Sequence, residues 1–151
     1  MVDRQRRANV IGLGLIGGSI ALALRGLGWT VSGDDSREHT QASALERGVI
    51  DAAGLDAEAE ITFVAVPVLA MADQVKRALA ETNGLVTDVG SVKGQICRTF
   101  DDARFIGGHP MAGSEFDGLD GAQADLFNSA VWVLTPLESS LDTTFAEVNN
   151  V

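Results

Sequence analysis

Gly12, Gly14 and Gly17 stand in a GxGxxG spacing directly after the apolar pair Val10-Ile11, and an acidic residue, Asp35, follows 18 residues after Gly17. Residues of these types at this spacing suit the binding of a dinucleotide. Gly12 reverses the chain tightly, Gly14 lets bare backbone approach a pyrophosphate, and Gly17 lets the following helix pack closely on a sheet. That helix presents its first N–H groups, around Leu15 and Ile16, and its positive dipole end to the phosphates. A carboxylate at Asp35, reinforced by Asp34, accepts hydrogen bonds from the adenosine ribose and repels a 2′-phosphate at the same spot, so the expected cofactor is NAD rather than NADP. Arg37 lies close and is the one feature that softens this preference. For the glycines alone, the alternative is a tight strand-to-helix turn with no ligand.

Three further segments stand at the expected C-terminal ends of strands, the edge of an open α/β sheet where ligands bind. Val66-Pro67-Val68 either flanks the adenosine half of the cofactor or is plain packing. Thr87-Asp88-Val89-Gly90-Ser91-Val92-Lys93-Gly94 brings Gly90 to the cofactor. Ser91 there is an N-cap for the next helix, a hydroxyl pointing into the crevice, or both. The third segment is Phe105-Ile106-Gly107-Gly108-His109-Pro110-Met111-Ala112-Gly113-Ser114-Glu115. Its histidine sits between glycines and a proline, with room for a substrate beside the ring. The ordinary imidazole pKa near 6.5 suits a general base at neutral pH. A satisfied loop histidine is the bland alternative. Nothing at metal-ligand spacing accompanies His109, so no metal site is expected. His39, on a solvated helix, is expected to be passive.

The chain has 151 residues, 46% hydrophobic and 21% charged, with a formal net charge of −10. One domain over residues 1–151, with a core that needs no disulfide, is the expectation. The lone Cys97 reads as a small core residue. An acidic balance argues against a nucleic-acid face, which requires clustered Lys and Arg. Arg4, Arg6 and Arg7 form a basic cluster, read as a solvated terminus. No apolar stretch approaches a membrane span and no leader precedes the first strand, so the cytoplasm is the expected compartment.

Apolar runs of strand length alternate with helical patterns, the signature of a mostly parallel sheet covered on both faces, a Rossmann-type α/β fold. Strands are expected near Asn9–Leu13, Thr30–Asp34, Val49–Asp51, Ile61–Val66, Leu85–Val89, Phe105–Gly108 and Ala130–Leu134. Helices are expected near Ile16–Leu27, Arg37–Glu46, Leu69–Glu81, Lys93–Thr99 and Gly118–Phe127, with a last one begun near Leu141. The stretch Ser114 to Gly121, rich in glycine and acidic residues, is expected to form a mobile flap over the crevice.

Gly-Leu-Gly-Leu-Ile-Gly-Gly-Ser (12–19), Thr-Asp-Val-Gly-Ser-Val-Lys-Gly (87–94) and Gly-Gly-His-Pro-Met-Ala-Gly-Ser-Glu (107–115), in this order, closely resemble the prephenate/arogenate dehydrogenases of tyrosine biosynthesis. The second and third motifs are far more specific than the first. The resemblance implies that His109 is the catalytic histidine, that Ser91 hydrogen-bonds the reacting hydroxyl, and that Glu115, beside Ser114, lies near the site entrance. It implies Asp35 as the acid that holds the adenosine ribose. The implied reaction is oxidative decarboxylation of prephenate, or of arogenate, with a small-molecule substrate and with NAD as cofactor. Members of the family continue into an all-helical domain that supplies a basic side chain for the substrate carboxylates and most of a homodimer contact. These 151 residues contain no such segment, so the chain alone is expected to bind NAD without turnover. A truncated, non-catalytic NAD-binding module is the other reading.

Overall fold

The computed structural model describes residues 4–140 and 142–151. Its first strand, β1 (Arg7–Ile11), leads through the glycine turn into α1 (Leu15–Gly26). β2 (Thr30–Asp34), α2 (Glu38–Glu46) and β3 (Ala52–Ala53) follow, then β4 (Ile61–Val64), α3 (Val68–Glu81) and β5 (Leu85–Asp88). The chain continues as α4 (Lys93–Thr99), β6 (Phe105–Pro110), a single 3-10 turn at Leu119–Gly121, β7 (Trp132–Thr135) and α5 (Asp142–Asn149). The strands form one sheet in the order β3-β2-β1-β4-β5-β6-β7. All pairs are parallel except β6–β7, so the expected α/β doubly wound architecture is the one observed. Strand order reverses between β1 and β4, which opens a crevice at their C-terminal ends.

Neighbouring strand residues feed opposite cores, as the period of two requires. Val10, Phe63 and Ile106 join the cluster under α1 with Ile20 and Leu24, whereas Ile11, Val64 and Phe105 join the cluster under α3 and α4 with Met71, Val75 and Ile96. Met71, Val75 and Ala78, spaced by four and three, form the buried stripe of α3. Asn9 is a polar residue fully buried in β1. Its amide donates to the Asp56 carbonyl (2.9 Å) and the Thr62 hydroxyl (3.1 Å), and its oxygen accepts the Asp56 N–H (2.9 Å). The loop before β4 is thus sewn to the first strand.

Two expected elements differ. The third strand does not run over Val49–Asp51: Val49 and Ile50 are core residues, and Asp51 uses its carboxylate to accept the Val31 N–H (2.8 Å) and the Arg25 guanidinium. The Asp51 N–H also donates to the Val31 carbonyl (2.8 Å), and the strand register with β2 covers Ala52 and Ala53. The helix expected over Gly118–Phe127 is confined to one 3-10 turn. Gly118 takes φ +66°, and the Gln123 N–H is drawn to the Ser19 hydroxyl (2.9 Å) instead of continuing a helical ladder. The last expected helix is present from Asp142, and Leu141, where its start was placed, lies outside the described residues.

Replacing Asn9 by Leu strands the backbone groups of Asp56 and is expected to cost about 1–3 kcal/mol. Urea unfolding of the variant measures this, and an unchanged midpoint would show that water substitutes for the amide.

Candidate functional site

At the turn, three segments of backbone converge. Gly12 adopts φ +90°, and a Cβ there would lie 2.3 Å from the Ala65 carbonyl oxygen at the end of β4. A Cβ on Gly17 would lie 1.7 Å from the carbonyl oxygen of Gly12, so α1 presses directly on the turn. Gly14 is different: a Cβ there meets nothing within 4 Å. Its missing side chain leaves open space in front of α1, whose N-terminus carries neither a side-chain cap nor an acidic residue in its first turn. The first N–H groups of a helix lack intrahelical acceptors. An uncapped helix start facing a cleft is therefore an anion site in waiting.

That cleft has a volume of about 830 Å³. Gly12, Gly14, Leu15 and Ile16 form its floor, and Val66, Pro67 and Gly90 close it from the ends of β4 and β5, with Asp35 at the far side. Gly17 lies behind the turn. A smaller cavity of about 270 Å³, between α1, β7 and α5, is lined mostly by apolar side chains such as Phe63 and Trp132 and by no charged one.

At the β2 end the two acids have different partners. Asp35 is nearly buried, its side chain 5% exposed, and both oxygens are engaged: one accepts the Leu13 N–H (2.8 Å), the other the Arg37 N–H (2.9 Å) and Nε (3.2 Å). Burial pushes its pKa up, and the bonds from Leu13 and Arg37 outweigh that, leaving the carboxyl below its ordinary value. Asp34 does not reinforce Asp35. Its carboxylate is drawn instead to Arg77 of α3, 2.6 Å away. Arg77 lines the cleft and was not legible in advance, being one of several charges on a helix with no local motif.

The reactive-group candidates share a single buried anchor. Asp88, at the end of β5 with its side chain 1% exposed, accepts the Gly90 N–H (2.9 Å), the Gly108 N–H (3.1 Å) and the Lys93 ammonium. Gly90 immediately precedes Ser91, and Gly108 immediately precedes His109. One carboxylate therefore ties together the two strand ends that carry those side chains. A side chain at Gly108 would collide with the Asp88 carbonyl (2.7 Å), and one at Gly107 would press tightly on Cys97 Sγ (3.1 Å), which favours small residues ahead of the histidine. Burial raises the Cys97 thiol above its ordinary pKa, with Lys93 opposing, in keeping with a packing residue.

Ser91 is exposed and is not the N-cap of α4; that position is Val92, without a side-chain bond. His109 is half-buried in β6, opposite Val133 of β7. His109, Ser91, Ser114 and Glu115 are not part of the cleft wall, although Gly90, Asp117 and Gly118, close to them in sequence, are. The expected flap is divided. Leu119 is buried and Asp120 pairs with Arg47 (2.7 Å), so the segment is fastened from Leu119 onward, and Asp117 and Gly118 just before it line the cleft. Asp88 was present in the quoted motif, yet its role required knowing that β5 and β6 are neighbours.

Strand order, the uncapped helix and the cleft at the switch point define an open α/β nucleotide-binding domain. The family described as "Prephenate dehydrogenase, nucleotide-binding domain" matches residues 20–151, and the chain belongs to it. Among relatives, the prephenate dehydrogenase of Bacillus subtilis is 39% identical, the match covering 83% of this chain and 38% of the relative. The cyclohexadienyl dehydrogenase of Zymomonas mobilis is 36% identical over 84% of this chain and 48% of the relative. The chain thus spans less than half the length of these two proteins. Among solved structures, Aquifex aeolicus prephenate dehydrogenase in complex with hydroxyphenyl propionate and NAD+ superposes with a TM-score of 0.89 at 25% identity, covering 99% of this chain and 57% of that one. Synechocystis arogenate dehydrogenase gives 0.87 at 34% identity, covering 95% and 55%.

Two outcomes check the site. Gly14→Val is expected to fold normally and lose NAD binding, because its side chain fills the open space, whereas Gly17→Val is expected to lower stability first; calorimetric binding and thermal melts separate the two. Normal NAD affinity in folded Gly14→Val would make the turn purely structural. For Asp35, a folded-state pKa below the unfolded value of about 3.9 means stabilisation that is fully present above that pH and lost as pH falls through the folded value. Acid unfolding of Asp35→Asn should therefore be shallower than that of the native chain, and identical curves would remove the assignment.

Proposed function

We propose that the chain is the cofactor-holding part of an NAD-dependent prephenate dehydrogenase, acting in tyrosine biosynthesis by oxidative decarboxylation of prephenate. The observation that supports this best is the single Asp88 carboxylate bonding the N–H groups just before Ser91 and His109, beside a cleft that fits a dinucleotide. Cofactor binding by itself needs neither a serine nor a histidine at those positions. The fit rests on the open space at Gly14, the uncapped start of α1 and the carboxylate of Asp35.

NAD, when bound, supplies the hydride acceptor. His109 accepts the proton of the ring C4 hydroxyl, and the Ser91 hydroxyl orients that group by a hydrogen bond. Oxidation at C4 leaves a ring ketone conjugated to the carbon that bears the carboxylate. Loss of carbon dioxide then aromatises the ring, so the chain's main tasks are alignment and one proton transfer. Glu115 and Ser114 stand at the entrance, where they gate the substrate. Arogenate is the second reading, favoured by the likeness to the Synechocystis arogenate dehydrogenase.

The test joins this domain to the remaining portion of the Bacillus subtilis relative and follows NADH absorbance with prephenate and with arogenate. His109→Asn is expected to lower turnover about 100- to 10,000-fold, on the order of 3–5 kcal/mol of transition-state stabilisation, with NAD affinity unchanged. The chain by itself is expected to bind NAD without producing NADH. An active His109→Asn chimera would overturn the base assignment, and turnover by the isolated chain would overturn the need for a second domain.

A further inference from the structure

We infer that Val133 is a specificity-determining residue of the proposed reaction: with Met111 and Val131 it forms an apolar ledge around His109 that takes the uncharged ring of the substrate. This rests on the dehydrogenase reading above and says which surface holds the ring while the imidazole works on its hydroxyl.

The register of the last two strands sets the ledge. His109 stands directly opposite Val133 in the antiparallel pairing of β6 with β7, and the Met111 N–H donates to the Val131 carbonyl (2.7 Å), carrying that pairing one step past Pro110 and Trp132. Side chains two residues apart share a face of a sheet, and directly opposed residues have Cβ atoms about 5 Å apart. His109, Met111, Val131 and Val133 therefore lie on one face.

The two faces of this ladder are covered unequally. On the other one, Trp132 and Leu134 pack against the core under α1, and the Trp132 ring meets Phe63 (6.1 Å between centroids) and Phe127 (5.2 Å). On the His109 face, α4 covers Phe105 and Gly107, where a Cβ would meet Cys97 and Lys93. Beyond them the face is open: Val133 is 40% exposed, Met111 53% and Val131 64%. Single exposed apolar side chains need no explanation, but three adjoining ones around a half-buried histidine form a patch. None of the three carries a charge or a hydroxyl, so the patch offers nothing to a carboxylate and suits the C–H surface of a ring. A ring resting on Val133 lies one cross-strand spacing from the imidazole, and a hydroxyl on its edge is then within reach of His109. An open-chain hydroxy acid presents no such surface. The ledge thus selects a cyclic alcohol.

The experiment uses the chimera described above with whichever of prephenate and arogenate its native form oxidises, the two sharing one ring. Native, Val133→Thr and Val133→Ala forms are compared by initial rates against substrate, initial rates against NAD, and urea unfolding. Threonine keeps the branched shape and strand preference of valine while exchanging one methyl for a hydroxyl. KM for the substrate is expected to rise about tenfold in Val133→Thr, the low end of what one methylene is worth in an apolar pocket, and to rise in Val133→Ala as well. KM for NAD and the urea midpoint of Val133→Thr are expected to stay at the native values. An active native chimera whose substrate KM is unmoved in both variants would overturn the inference alone. So would a rise shared by NAD, or one accompanied by a lower urea midpoint in both variants, since either would mark Val133 as a structural or interdomain contact. A native chimera that oxidises neither substrate would overturn the dehydrogenase reading and this inference together.

Discussion

The contact on which everything else depends is the near touch of three backbones at Gly12, Gly17 and Ala65. None tolerates a side chain between them, and the result is that α1 starts almost on top of the sheet at the point where strand order reverses. That placement aims the unpaired N–H groups of a helix into the crevice between β1 and β4. The space that the chain leaves open at Gly14 is therefore the reverse side of the space it has closed at Gly17. Binding capacity here is a by-product of close packing.

A second constraint acts one strand pair further along. Asp88 is buried where a charge is costly unless its partners are complete, and its partners are two glycine N–H groups and one ammonium. Removing the Lys93 ammonium would leave an uncompensated carboxylate in the core between α4 and β6. The loop that carries Ser91 and the strand that carries His109 are consequently held in one frame, at the same edge of the sheet as the cleft. Fold stability and the seating of Ser91 and His109 depend on the same hydrogen bonds.

Much of this was legible in the residues. The glycine spacing, the apolar strand before it and the amphipathic pattern after it specify a strand, a turn and a helix, and most other elements follow from the same periodicity. The cleft residues from Gly12 to Pro67 were legible because local backbone chemistry selects them. What escaped was decided by tertiary partners. Asp51 bonds Val31 through its side chain as well as its backbone, where the third strand was expected to end; Ser19, far away in sequence, takes the N–H that would have extended a helix past Gly121. Arg77 finds Asp34 only because α3 passes the end of β2. No single-segment pattern carries such information.

The central claim is that the uncapped start of α1 receives a dinucleotide pyrophosphate. The most direct measurement is an amide nitrogen–proton spectrum of the chain titrated with ADP-ribose. Saturable shifts concentrated at Gly14, Leu15, Ile16 and Gly17 are expected, with a smaller set at Asp35 and Val66. Shifts confined to the apolar cavity around Phe63, Trp132 and Val148, or none at millimolar ligand, would contradict it.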